Sequence, residues 1–372
     1  MTKNKIINVA TIFSGIGAPE QALYRLKKDF NVVFACDNGG RILDFDYDKE
    51  YAEISKFTTV KNKEAYAENL YNSNTSKSNY VEMSYKANYT CEYFFQDVKL
   101  LDGRDFKNKI DLFVGGSPCQ SFSIIGEKGG FNDTRGTLFY EFARLIKEIN
   151  PKVFIYENVF NVLRHDKGKT WTTMQNVFAE LGYYFKHAVL DAKDFGIPQS
   201  RKRLFVVGFK EKKHFDAFEF PTPCQLNMTV QDLLEDNHEV GSIQSVDGKL
   251  TPIYEKKGVI DEYYFLTPGV LKYVLSPGTK GFYHPNSKTD EPIAKALLST
   301  MHNHHRTSVN NYITTNGRLR ELTINEGLRL MGFPDSFIIA VSKAQMYKQI
   351  GNSIVVDVMM GIEKNICEVM KW

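Results

Sequence analysis

Residues 6–17 read IINVATIFSGIG, an apolar, β-branched run of strand length that stops on two glycines. A run of this kind bounded by turn residues is the pattern of a strand buried on both faces. Similar runs recur at 32–35, 111–114, 153–156 and 204–209, with helix-compatible segments between them. In the clearest of these, LFYEFARLIKEI at 138–149, Phe142, Leu145, Ile146 and Ile149 fall at helical spacing and Pro151 marks the stop. Strands alternating with helices predict an α/β fold built on a parallel sheet.

The 372 residues, 42% of them hydrophobic, suffice for one large core and a smaller second domain. The opening MTKNKIINVATIF contains polar residues and meets Gly15 at once, so neither a secretory signal nor a membrane span is expected. Cys36, Cys91, Cys119, Cys224 and Cys367 lie far apart and form no CxxC pair. This suits neither a disulfide framework nor a zinc site, and it points to a reducing, cytoplasmic setting. A net charge of +3 does not announce a polyanion partner, but charge is segregated locally. Residues 209–262 hold six Lys or Arg against eleven Asp or Glu, whereas 272–320 hold seven against two, joined by His284, His302, His304 and His305. The second stretch is the better polyanion face, although a solvated basic loop is the usual reading of such a run.

Residues 41–95 break the rhythm with many Tyr, Asn, Ser and Lys, and read as an insertion that is helical around 63–71. From about 215 to 315 prolines accumulate and no strand–helix alternation is visible, which predicts a separate small domain. Val355, Val358, Met359, Ile362, Ile366 and Val369 then form an apolar stripe, so a last helix is expected to return to the sheet.

Ligands of open parallel sheets bind beyond the carboxyl ends of the strands. Those positions carry Phe13-Ser14-Gly15-Ile16-Gly17, Asp37, Gly116-Ser117-Pro118-Cys119-Gln120 and Glu157-Asn158. A glycine pair lets backbone approach a ligand, and an acid some 20 residues on can take a ribose diol. The third glycine of the dinucleotide fingerprint is absent, which suits a nucleoside without phosphates; taken alone, the pair is equally a tight turn. A proline before Cys119 presents its thiol rather than burying it, while Glu157 would be costly to bury without purpose. The two form a candidate nucleophile and acid.

The ordered set FSGIG (13–17), Asp37, FFQDV (94–98), GGSPCQSFS (115–123), DTRGTLF (133–139), ENV (157–159), GIPQSRKR (196–203), RLRELTINEGLRLMGFP (318–334) and QIGNSIVV (349–356) resembles the cytosine-5 DNA methyltransferase family of bacterial restriction–modification systems. The resemblance implies a Rossmann-like sheet domain that binds S-adenosylmethionine (1–212 and 325–372, with 41–95 inserted) and a small, mostly irregular and β target recognition domain (213–324). It implies that Cys119 adds to carbon 6 of a flipped cytosine, that Glu157 serves the ring nitrogen N3, and that Arg203, with Arg201 beside it, binds the base carbonyl.

Donor binding is implied for Phe13 on the adenine, Gly15 and Gly17, Asp37 on the ribose, Asp97 and Val98 at the adenine edge, and Pro118, Leu138 and Asn352. DNA contacts are implied for Gln120, Ser123, Ile125 and Arg135, in or beside a glycine-rich loop at 121–134; Asn303 and Arg306 are candidates because Asn and Arg are the types that read A and G, and Arg320 is read as positioning DNA phosphate or bracing the domain. No metal is expected. The implied partner is double-stranded DNA, met by a monomer with a cognate restriction endonuclease as functional counterpart. Two alternatives stay open from the sequence, a tRNA cytosine-5 methyltransferase of the same family and an NAD-type oxidoreductase.

Overall fold

A computed structural model describes residues 5–117, 138–236, 240–246, 248–254, 259–276, 288–303 and 307–372. In chain order the first half contains β1 (Ile7–Ile12), α1 (Ala18–Arg25), β2 (Phe30–Cys36), α2 (Tyr47–Ile54), α3 (Val60–Asn74), α4 (Tyr80–Asn88), β3 (Cys91–Phe95), β4 (Leu112–Gly115), α5 (Leu138–Ile149), β5 (Val153–Val159), α6 (Lys169–Glu180), β6 (Tyr184–Asp191), β7 (Gln199–Ser200) and β8 (Lys202–Phe209).

Seven of the strands form one sheet in the order β3-β2-β1-β4-β5-β8-β6. In its central strands side chains alternate between the two faces. Leu112, Val114, Val153, Ile155, Phe205 and Val207 enter one core, and Phe113, Phe154, Tyr156, Leu204 and Val206 the other. Both faces are covered, which is why these strands read as continuous apolar runs. α5 packs Phe139, Phe142, Leu145, Ile146 and Ile149 on one face. Each such side chain, fully buried, contributes about 1.5–3 kcal/mol.

The chain builds outward from β1 to β3, then returns to place β4 on the other side of β1. That reversal puts the switch point at the carboxyl ends of β1 and β4, the place where doubly wound sheets hold ligands.

The sheet corrects two expectations. β8 runs antiparallel to both β5 and β6, so the sheet is mostly rather than wholly parallel. Strand direction leaves no trace in a two-residue period. The insertion also ends before residue 95, because Cys91–Phe95 is the edge strand paired with β2, with Phe94 and Phe95 buried. Three helices, rather than one, fill the rest of it. Asp46, Thr59 and Asn79 cap their amino ends by accepting the amides of Lys49, Asn62 and Glu82.

The second half contains α7 (Lys212–Ala217), β9 (Val240–Val246), β10 (Lys249–Tyr254), α8 (Pro268–Val274), β11 (Ala294–Lys295), β12 (Tyr312–Thr315), β13 (Arg318–Glu321), α9 (Ile324–Arg329), α10 (Lys343–Asn352) and α11 (Val356–Met370). The segment expected to be a separate domain does not have a core to itself. Phe218, Val230, Leu233, Ala294, Leu297 and Ile313 join the same buried cluster as Val9, Ile155 and Ile362, and β11 pairs with β7.

Arg25 on α1 locks this arrangement. It donates to both carboxylate oxygens of Asp357 at 2.8 Å, to the Gly332 carbonyl, and to the Gly248 carbonyl at the β9–β10 turn. α11 returns to the sheet as its apolar stripe predicts. Among the described residues, no helix is long and apolar enough to cross a membrane.

Candidate active site

The turn after β1 is held by its own serine. Ser14 Oγ accepts the Cys36 amide at 3.0 Å and lies 2.8 Å from Thr11 Oγ1, tying the ends of β1 and β2 together. Phe13, Gly15 and Gly17 all adopt positive φ. At Gly17 (φ 74°) a Cβ would also sit 2.2 Å from the Tyr89 ring, so only glycine fits.

Asp37 follows β2 and accepts the Gly15 amide at 3.1 Å and the Gly39 amide at 2.9 Å. Burial raises its pKa against the pull of those two amides. Asp97 follows β3 and is buried; its carboxylate accepts from Tyr71 at 2.6 Å, Tyr47 at 3.1 Å and the Lys99 amide at 3.0 Å. Val98 is buried beside it and gives its carbonyl to Arg144. Phe13 and Leu138 both lie half-buried against the core beneath α5. Asn352 ends α10 and is exposed, while Lys348, one turn earlier, brings its Nζ to 3.0 Å from where a Cβ on Gly40 would lie. The sheet edge thus gathers Phe13, Gly15, Asp37 and Asp97, with α10 facing the Asp37 loop.

At the other side of the switch point, Ser117 is anchored twice. Its Oγ lies 2.6 Å from Tyr156 Oη, and its carbonyl accepts from Asn158 Nδ2 at 2.9 Å. Space beside it is tight, because a Cβ on Gly116 would stand 2.9 Å from Glu157 Oε2 and 3.0 Å from the Glu157 carbonyl oxygen. Glu157 Oε1 lies 3.1 Å from Arg203 Nε. Burial raises the pKa of Glu157, and the charges of Arg203 and Arg201 oppose the rise without cancelling it.

The antiparallel course of β8 makes this pairing possible. An antiparallel strand delivers its first residues, not its last, to the carboxyl edge of the sheet. Arg203 therefore sits opposite Val159, diagonal to Glu157 on the same face.

Arg201 is placed differently from its neighbour. Its guanidinium is buried and donates to the carbonyls of Leu297, Gly351 and Ser353 at 2.8–2.9 Å. Burial lowers its pKa to about 9. In this position it braces the middle segment against α10. Pro118, Cys119, Gln120, Ser123, Ile125 and Arg135, and the whole loop 121–134, lie outside the described residues, as do His284, His304, His305 and Arg306.

In the middle segment Asn303 is exposed, whereas the side chain of Asn311 is engaged by the backbone of Lys295. Of the two roles read for Arg320, positioning phosphate or bracing the domain, the structure corrects the first and supports the second. Arg320 is fully buried, and its guanidinium is consumed by both oxygens of Glu326 at 2.7 and 2.8 Å, by Asp236 at 2.8 Å and by Thr315. Glu326 in turn closes a capping box with Thr323 at the start of α9, the TINE segment. Among the described residues no group of three or more His, Cys, Asp or Glu could hold a metal ion.

Two features escaped sequence reasoning. Tyr47 and Tyr71 of the insertion reach Asp97, although the sequence assigned the insertion no part in the site. Glu363 on α11 is wholly buried, and among the described residues neither of its oxygens has a hydrogen-bond partner. Its signal was legible, since it lies four residues after Met359 on the apolar stripe.

The fold and this edge define a methyltransferase-type α/β sheet with an acid–guanidinium pair beside its switch point. The family described as "C-5 cytosine-specific DNA methylase" matches residues 61–368. Similar proteins include the Type II methyltransferases M.SsoII of Shigella sonnei, 37% identical over 290 residues (77% of this chain, 71% of that protein), and M.HaeII of Haemophilus aegyptius, 35% identical over 322 residues (84% and 92%). M.HhaI of Haemophilus parahaemolyticus is 37% identical over 259 residues (69% and 75%). Among solved structures, S. pombe Dnmt2 methyltransferase matches with TM-score 0.63 at 16% identity (98% of this chain, 100% of that one), and Entamoeba histolytica methyltransferase EhMeth with TM-score 0.62 at 16% (99% and 100%), likenesses of fold. The chain belongs to the C-5 cytosine-specific DNA methylase family.

Proposed function

We propose that this enzyme methylates carbon 5 of one cytosine within a short duplex sequence, as a monomeric cytoplasmic modification enzyme whose counterpart is a restriction endonuclease. The observation that carries this reading is the Glu157–Arg203 pair, set across β5 and β8 beside the Ser117 that leads into Pro118 and Cys119.

The sheet edge suits S-adenosylmethionine. Adenosine offers a vicinal diol and an exocyclic amine, both hydrogen-bond donors. Asp37 and Asp97 offer buried carboxylates, which are acceptors, at adjacent strand ends. Asp37 would hold the ribose, Asp97 and Val98 the adenine edge, and Phe13 the ring face, with Gly15, Gly17, Pro118, Leu138 and Asn352 completing the site. The donor supplies an electrophilic methyl on a positive sulfur and departs as S-adenosylhomocysteine.

Carbon 5 of cytosine is a poor nucleophile until a thiolate adds to carbon 6. Cys119 supplies that sulfur, forming the carbon–sulfur bond as the ring's electron pair moves toward carbon 5. Glu157, whose burial favours the protonated carboxyl, shares its proton with N3 and so drains charge from the ring. Arg203 meets the base carbonyl and offsets negative charge as it develops. Once the methyl is in place, a base removes the carbon 5 proton, the carbon–sulfur bond breaks and its electron pair returns to Cys119. A stacked cytosine cannot reach these groups, so the nucleotide is flipped out, a task suited to the loop 121–134. Gln120, Ser123, Ile125, Arg135, Asn303 and Arg306 are assigned to the DNA.

Bisulfite sequencing of plasmid from cells expressing the chain tests this reading. Protection of one cytosine in a recurring short sequence is expected. Uniform conversion at every cytosine, with folded protein present, contradicts it.

A further inference from the structure

The insertion packs its own small core, Ile54, Ala67 and Tyr71 with Phe45 and Tyr47, onto Leu100, immediately after Asp97 and Val98. Its two central phenols both end on one atom. Tyr71 and Tyr47 donate to Asp97 Oδ2, while the Lys99 amide donates to Oδ1.

A carboxylate has about four acceptor sites. Among the described residues three are filled by these donors, which leaves a single site on Oδ1. Both tyrosines are held in place from behind. The Arg41 guanidinium lies 4.7 Å from the Tyr71 ring centre and also donates to Gln96, and Lys99 Nζ lies 4.2 Å from the Tyr47 ring centre. Burial, and then the charge of Asp97, push both phenols well above the usual tyrosine range, so they remain donors at any working pH.

We propose that Tyr71 and Tyr47 are positioning residues that fix the rotation of Asp97, leaving one acceptor aimed at the donor's purine and thereby selecting a 6-amino over a 6-oxo purine. This rests on the reading of the sheet edge as the donor site. An exocyclic amine completes the carboxylate's fourth bond, whereas a carbonyl oxygen at that place opposes a negative oxygen already held rigid. An unpinned carboxylate could turn away, and the penalty against the oxo group would lapse.

The test is calorimetric titration of wild type, Tyr71→Phe, Tyr47→Phe and the double variant with S-adenosylhomocysteine and with its hypoxanthine counterpart. An unmet buried polar group costs about 1–3 kcal/mol, so wild type should prefer the adenine ligand by roughly 5- to 150-fold. Each variant should weaken adenine binding more than hypoxanthine binding, shrinking that preference, with the effect on turnover appearing in KM for the donor rather than in kcat. An unchanged preference overturns the proposal, whether both ligands weaken together or neither does. So does a fall in melting temperature with no change in the ratio. If Tyr71→Phe does not fold, Tyr47→Phe, whose phenol is only half-buried, decides the matter by the same ratio. Wild type that binds neither ligand overturns the donor reading itself, and this inference with it.

Discussion

Glu157 Oε1 and Arg203 Nε stand 3.1 Å apart across the antiparallel β5–β8 pair, at the edge where the parallel strands end. The acid comes from the last turn of one strand and the base from the first of its neighbour. Neither could meet the other if β8 ran with the rest of the sheet.

Glu157→Gln keeps the shape and removes the proton. Methyl transfer should fall by about 10²–10⁴, the range for a positioned general acid. Because burial raises the pKa of Glu157, wild-type activity should decline with rising pH as that carboxyl ionises, and the variant's residual activity should lack this limb. Initial rates across pH with saturating donor and duplex DNA check both points. A retained alkaline limb in the variant would assign the titration elsewhere.

Arg201 and Arg203 are two residues apart and should behave oppositely. Arg203→Ala should abolish turnover while leaving unfolding nearly unchanged, since that side chain is partly exposed. Arg201→Ala strands three buried carbonyls and should destabilise by about 3 kcal/mol or more, at roughly 1–3 kcal/mol per unmet group. Urea unfolding beside single-turnover assays separates the two roles.

The Arg320–Glu326 ion pair is fully buried, so removing one partner leaves an uncompensated charge. Glu326→Ala should cost about 3–5 kcal/mol in denaturant unfolding. For Arg320→Ala, DNA affinity per folded molecule should hold, which a filter-binding titration on protein of verified folded fraction would show. A selective loss of DNA affinity would return Arg320 to the interface.

Glu363 lies buried on α11 with no hydrogen-bond partner among the described residues, and burial, then the neighbouring carboxyl of Glu20, raises its pKa well above the ordinary value. Between its unfolded pKa, about 4.3, and its higher folded one, the native state holds more protons than the unfolded chain. Stability therefore falls with rising pH through that window, by up to about 1.4 kcal/mol per pH unit. Glu363→Gln should melt higher than wild type, and the difference should widen from about pH 6 to about pH 8. Parallel melting curves at both pH values, or a lower melting temperature for the variant at the upper one, decide it.

Much of this was legible in the sequence, for reasons that particular residues make plain. β1, β4 and β5 are buried on both faces, so their apolar runs stand out; α5 carries Phe142, Leu145, Ile146 and Ile149 at helical spacing and is bounded by Pro151. The edge strands did not stand out. β6 (YFKHAVLD) has only its last two residues buried, and β3 opens with Cys91 and Glu92 only partly buried or exposed. Edge strands lack a double-sided core, and with it the pattern that marks a strand.

At the site, Gly15, Gly17, Asp37 and Glu157 stood out because they follow strand ends of a parallel sheet, whereas Asp97 and the arginine pair came only with the family resemblance. The arginines' division of labour came with neither. Arg201 and Arg203 look alike in a sequence, and only the carbonyls of Leu297, Gly351 and Ser353 show which one is a brace. Arg320 reads as a surface cation until Glu326 and Asp236 close around it. The tyrosines of the insertion carry no motif, and their bearing on Asp97 depends on three helices folding back over β3.

The central claim is a transient covalent bond from Cys119 to carbon 6 of an extrahelical cytosine. Duplex DNA carrying 5-fluorocytosine at the methylated position measures it directly, because fluorine cannot leave as the carbon 5 proton does and the adduct is trapped. Incubated with S-adenosylmethionine, wild type should give a denaturation-resistant protein–DNA band and Cys119→Ala none. An equal yield of that band from Cys119→Ala contradicts the account.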